Sequence, residues 1–175
     1  MFENDYTING IHATHLKYLV NDAKVFTRYI DVYMIAAILG FLHGRSEKKD
    51  NTSQDRARIY ADAFATERLN CDFIYRLIMI LDGTTELSTQ QRLDRAFRDD
   101  SQKESELTKV VHTQNMDLFN SYVFGGIEEL FEQFTNGATS RDDYINKIYD
   151  VAAKFKEKME ETDYESKLKK LVHSN

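Results

Sequence analysis

Tyr29 to Arg45 reads YIDVYMIAAILGFLHGR, the most apolar run of the chain, and its reading decides the fold class. Ile30, Tyr33, Met34, Ala37, Ile38 and Phe41 recur at steps of three and four, which draws one wide apolar helical face. Val32, Ile35, Ala36 and Leu39 make the other faces apolar too, so a core helix with neighbours on most sides is expected. Asp31 is the only charge before Arg45. A membrane span needs about 20 uncharged apolar residues, and this run meets His43, Gly44 and Arg45 first. Gly44 suits the left-handed position that ends a helix, with Arg45 beside the negative end of the dipole.

Working outward, residues 1–10 are polar, end in Asn9-Gly10 and read as a partly ordered arm. A short helix from Ile11 to Val20 turns Leu16, Leu19 and Val20 inward and sets His12 and His15 one turn apart. Two imidazoles at that spacing can share a metal, but nothing nearby supplies the remaining ligands, and the alternative is two surface histidines. Thr27 reads as the N-cap of the central helix. SEKKDNTSQ, Ser46 to Gln54, contains no apolar residue and reads as a loop. A helical pattern then runs from Asp55 through Ile59, Tyr60, Ala63, Phe64, Leu69, Phe73, Leu77 and Leu81, with a break near Thr66, and its second half, Phe73 to Leu81, is expected to pack beside the central helix.

Ser88 and Gln91 form a capping box that opens a helix to Asp99 with Leu93 and Phe97 inward. Asp100 to Glu106 is a charged linker. The second long helical region, Leu107 to Phe134, has the pair Gly125-Gly126 in its middle, where a helix loses up to about 1 kcal/mol per glycine relative to alanine. Close packing of another backbone, that of the central helix, is the expected reason. Asn136-Gly137 is a stop and Ser140 a cap. The helix from Arg141 to Glu161 presents Tyr144, Ile145, Ile148, Ala152, Phe155 and Met159, and a tail with Tyr164, Leu168 and Leu171 reads as a last docked helix.

With 175 residues, no proline and only 7 glycines, the chain lacks helix breakers. The expectation is all-α, with residues 11–175 forming a single-domain orthogonal bundle of about six helices. A net charge of -6 argues against a protein that coats nucleic acid. The lone Cys71 cannot form an internal disulfide, and the first residues lack a signal-peptide pattern, so the expected location is the cytoplasm.

The chemistry-bearing motifs are few. There is no G-x-x-x-x-G-K-[ST] phosphate loop and no H-E-x-x-H zinc site. The Arg–His spacing of ribonuclease toxins of the HEPN type is missing as well. Glu128, Glu129 and Glu132 form an acidic patch, with Glu67 and Asp72 elsewhere, and such carboxylates can hold Mg2+ for nuclease work or simply form a solvated face. Cys71, without a histidine at helical spacing, reads as a core or boundary thiol. Two basic groups are candidates for partner or phosphate contacts. One is an arc of Arg92, Arg95 and Arg98, each step of three moving about 60° around a helix. The other is a corner of His43, Arg45, Lys48 and Lys49, diluted by Glu47 and Asp50.

Residues 29–41, YIDVYMIAAILGF, and 119–127, FNSYVFGGI, resemble two segments of a small bacterial accessory family that accompanies the Dnd system of DNA phosphorothioation. The resemblance covers about a quarter of the chain and rests on helix-packing patterns. It implies a cytoplasmic helper in phage defence or DNA modification, working with larger proteins that hold the ATPase and nuclease activities. It carries no catalytic residue and no cofactor to this chain. The leading expectation is therefore a non-catalytic adaptor acting through protein contacts, alone or as a homo-oligomer. The 11 Phe and 10 Tyr exceed what one core of this size must bury, and tyrosine is favoured at interfaces. A DNA-binding accessory protein using the arginine face is the alternative, and a Mg-dependent nuclease a distant one.

Overall fold

The computed structural model describes residues 2–84, 86–97 and 106–161. It is mostly α-helical, as expected, with one small sheet. The order is β1 (Tyr6–Asn9), α1 (Gly10–Lys17), a π-helical turn (Tyr18–Asp22), α2 (Tyr29–Leu42), β2 (Arg56–Ile59), α3 (Ala61–Thr66), α4 (Arg68–Leu81), α5 (Thr89–Phe97), α6 (Glu106–Thr135) and α7 (Arg141–Glu161). The chain divides into two compact units, Met1–Gln133 and Phe134–Asn175. The division falls inside the span read above as one domain.

The sheet corrects two readings. Tyr6–Asn9 is a strand rather than part of a loose arm, and it pairs antiparallel with β2, Tyr6 opposite Ile59 and Asn9 opposite Arg56. In β2 Ala57 and Ile59 are buried while Arg56 and Arg58 face solvent, the period-two alternation of a half-buried strand. Four residues are too few for that alternation to stand out beside the helical pattern that follows. The expected break near Thr66 is real: α3 stops there and Glu67 leads into α4.

The central helix is present as α2. Thr27 does not cap it; the extended Arg28 precedes the first turn and reaches both Asp31 (2.5 Å) and Glu67 (2.8 Å). At the other end Gly44 adopts φ +64, and Arg45 N–H donates to Gly40 O at 2.8 Å, the bond that closes a left-handed helix ending. Ile30, Val32, Tyr33, Ala36, Ala37 and Gly40 are buried. Tyr33 donates its hydroxyl to Asn120 Oδ1 (2.8 Å), so a polar tip inside the core has its partner. Around it Phe64, Phe119 and Tyr75 complete an aromatic cluster with ring centroids 5.5–5.9 Å apart.

Gly125 and Gly126 do not break α6, and their role is the close approach expected. A Cβ on Gly126 would overlap the carbonyl oxygen of Ala36, and one on Gly125 that of Arg45. Gly40 meets the backbone of Tyr122 in the same way. Gly40 and Gly126 thus let the backbones of α2 and α6 touch, and Gly125 admits the segment that follows α2, contacts that a side chain would prevent.

In the second unit Gly137 has φ +74, and α7 opens on a capping box. Ser140 Oγ accepts from Asp143 N–H (3.2 Å), and Asp143 Oδ2 accepts from Ser140 N–H (2.8 Å). Arg98, residues 99–105, the side chains of Phe155 and Met159, and the tail with Tyr164, Leu168 and Leu171 lie outside the described part.

Candidate functional site

Two members of the arginine arc, Arg92 and Arg95, bond to the end of α4. Arg92 donates to Leu87 O (3.1 Å), Ile80 O (3.2 Å) and Asp82 O. Arg95 donates to Met79 O (2.5 Å) and approaches Asp82 Oδ2 (3.4 Å). The two guanidinium groups cap the carboxyl end of α4, whose last carbonyls have no partner within the helix and carry its negative partial charge. Arg98, the third member, lies outside the described residues. The capping box at Ser88 and Gln91 that positions α5 is present, Ser88 N–H donating to Gln91 Oε1 at 2.8 Å.

Asp82 sits at the centre of this cap and is fully buried. Burial alone would raise its pKa, but the Tyr122 hydroxyl (2.7 Å), Thr84 and Arg95 outweigh it and hold the carboxyl below the usual range. Tyr122 is pushed up to about 12 by burial and by Asp82.

Two members of the basic corner are paired with carboxylates of α6. Arg45 forks onto both carboxylate oxygens of Glu132 (2.6 and 2.7 Å) and reaches Glu128 (3.1 Å), while His43 Nδ1 meets Glu129. Glu128, Glu129 and Glu132 are thus all bonded to side chains of the same chain. Among the described residues no group of three or more His, Cys, Asp or Glu is placed to hold a metal. Lys48 and Lys49 keep exposed side chains, and Lys48 contributes its carbonyl to His12 Nε2 (3.1 Å).

The two histidines of α1 are not surface groups. His12 is buried with its ring stacked 4.9 Å from Phe124, and His15 stacks 3.8 Å from Phe131. His12 Nδ1 stands 3.5 Å from Glu128 Oε1, beyond hydrogen-bonding distance. Burial, then His12, lowers the pKa of His15. The cluster fastens α1, the segment after α2 and α6 to one another. Cys71 is buried too, and burial pushes its thiol up to about 12, the opposite of an activated cysteine.

What faces solvent instead is apolar. Leu69 (85% exposed), Phe73 (66%), Leu81 (54%) and Leu77 (41%) form one ridge along α4, at steps of four residues. The stretch Phe73 to Leu81 is expected to pack beside the central helix, and α4 does pack against α2. A second stripe of the same helix, Cys71, Ile74, Tyr75, Ile78 and Met79, takes the core. On α2, which packs against α4, Ile35, Ile38 and Leu42 are exposed. On α5 Leu93 and Phe97, expected inward, are exposed, with the Arg76 guanidinium 5.3 Å from the Phe97 ring. The ridge was visible as spacing in the sequence; its direction was not.

Comparison with protein-family models, with curated proteins and with solved structures finds no match. No helix among the described residues is long and apolar enough to cross a membrane.

Proposed function

We propose that this chain is a non-catalytic accessory protein that works by binding other proteins through the apolar face of α2 and α4. The exposed ridge Leu69–Phe73–Leu77–Leu81 carries this reading, because large apolar side chains held next to one another in water are characteristic of interaction sites. The internal bonds of Arg92, Arg95 and Arg45, the paired glutamates and the raised thiol of Cys71 are in keeping with it. The family resemblance supplies the setting: a cytoplasmic subunit of a phage-defence or DNA-modification system of the phosphorothioation type, beside larger proteins of the same locus. DNA contact, through Lys48 and Lys49 at most, is weak in this reading.

The test is co-purification with products of neighbouring genes, run beside a duplex-DNA titration at two salt concentrations. We expect a stable protein complex that Phe73→Glu disrupts, a shallow salt slope, and neither ATP hydrolysis nor Mg2+- or Mn2+-dependent cleavage by the chain alone. A binder using three arginines would show a slope of about -2.7. Tight, salt-steep binding of DNA with no protein partner would overturn the proposal.

A further inference from the structure

We propose that Tyr33, Phe64, Tyr75 and Phe119 form a binding cage for one uncharged aromatic ring of a small molecule, and that Phe2 of the same chain occupies this cage as an exchangeable plug. The cage is distinct from the face assigned above to protein contacts. Three observations carry the inference.

The first is the cage itself. α2, α3, α4 and α6 each contribute one ring, and all four residues are 1% exposed. The Phe2 ring stacks on Phe64 with centroids 5.6 Å apart and planes 20° apart. It meets Phe119 (5.9 Å), Tyr75 (6.3 Å) and Tyr33 (6.5 Å) edge to face. These are the separations and tilts at which aromatic rings attract one another. The Tyr33 hydroxyl is bonded to Asn120, so that residue offers the cage its ring alone. A cation entering would exchange its water for rings, whereas a neutral ring gives up little hydration there.

The second is how the plug is attached. Phe2 is only part-buried, and Glu3, Asn4 and Asp5, which join it to β1, are exposed. Asp5 fixes the near end of this strap: its Oδ1 accepts from Ala61 N–H (2.8 Å) and its Oδ2 pairs with Arg58 (2.6 Å). Beyond that anchor Glu3 lies 3.7 Å from Arg68, both side chains mostly exposed, and an ion pair of that kind contributes little. Asp5 therefore acts as a pivot, and residues 2–4 form a short arm that swings without unmaking any helix or strand.

The third is backbone strain. Phe2 has φ +49, and among the described residues Lys24 is the one other non-glycine with positive φ. A bulky side chain in this left-handed region is an outlier, held there by its surroundings and relieved when the ring leaves. Burial of one Phe ring favours the closed arm by roughly ten- to a hundredfold. The left-handed backbone offsets roughly tenfold of that. The closed form is thus ahead by a factor of about ten or less, and a ligand of the cage binds more weakly by that factor than it would to an open cage.

The experiment titrates the full chain with toluene, with equilibrium dialysis for affinity and nuclear Overhauser contacts between the Phe2 and Phe64 rings for the plug. We expect one toluene per native chain, loss of the Phe2–Phe64 contacts as it binds, and binding to Phe2→Ala that is tighter by up to about tenfold. The chain has no tryptophan, so Phe2→Trp supplies a single reporter whose emission should move to longer wavelength as toluene displaces it. Tetramethylammonium, a cation of similar bulk, should not bind. Toluene bound by Phe2→Ala and not by the native chain would be the filling of an emptied core, and overturns the inference. Native-chain binding that leaves the Phe2–Phe64 contacts intact, a Phe2→Ala chain that no longer folds, or tetramethylammonium bound in place of toluene overturns it as well.

Discussion

α2 and α4 are each fourteen residues long, both are rich in large apolar side chains, and they pack against one another. Their outcomes differ. α2 presents Ala36, Ala37 and Gly40 to the core and receives Gly125 and Gly126 of α6 against its backbone and the segment that follows it. α4 turns its small and medium residues inward with Tyr75, and holds its most regular ridge of leucine and phenylalanine in solvent. Small residues mark where backbones meet, because only they permit it. Large apolar ridges mark where something must be covered, without naming the coverer.

The contrast can be broken most severely at its buried side. Gly126→Leu should destabilise the first unit by about 3–5 kcal/mol or prevent folding, since a new side chain there meets backbone that cannot rotate away. Urea unfolding measures it, and an unchanged midpoint would mean that α2 and α6 do not touch as described. Next comes the cap at the end of α4. Asp82→Ala removes the anion from between Arg95 and Tyr122 and should cost about 3 kcal/mol, read by the same titration.

Asp82 also sets a pH dependence. Its carboxyl is depressed in the folded state, so its contribution is present above the unfolded value near 4 and is lost as pH falls through the folded one. Thermal melts below about pH 4 should therefore fall more steeply for the native chain than for Asp82→Asn. At the alkaline end the sign reverses. Tyr122 is raised to about 12, so its contribution holds below the unfolded value of 10 and disappears as pH climbs from there to about 12. Stability of Tyr122→Phe should be flatter across that window.

Smaller effects follow toward the surface. Arg45→Ala breaks the fork onto Glu132 and Glu128, groups open to water, and should cost about 1 kcal/mol or less, diminishing in high salt. Leu69→Ser, at the most exposed point of the α4 ridge, should leave the monomer within about 0.5 kcal/mol of the native chain. A large loss there would place Leu69 in a core and erase the contrast between the two helices.

Much of the fold was legible because it rests on local signals. The period of Tyr29–Leu42, the left-handed Gly44, the capping boxes at Ser88 and Ser140 and the stop at Gly137 each follow from the conformational preferences of a few neighbouring residues. The paired strands were not legible, since four-residue strands are stabilised by a partner about fifty positions away. The candidate contact residues misled for a related reason. Arg92, Arg95, His43 and Arg45 are basic in sequence, but their charge is answered by Met79, Asp82, Glu129 and Glu132, distant in the chain and adjacent in space.

By itself, then, the sequence determined that this chain is mostly helical, where α2 ends and where α5 and α7 begin. These depend on torsional freedom and spacing, which are properties of short segments. Only the tertiary structure decided which of the two apolar stripes of α4 enters the core, and that the arginines serve as a helix cap. A stripe is buried by whichever surface meets it, and a charge is neutralised by whichever partner arrives. Those are long-range contacts that no local preference encodes.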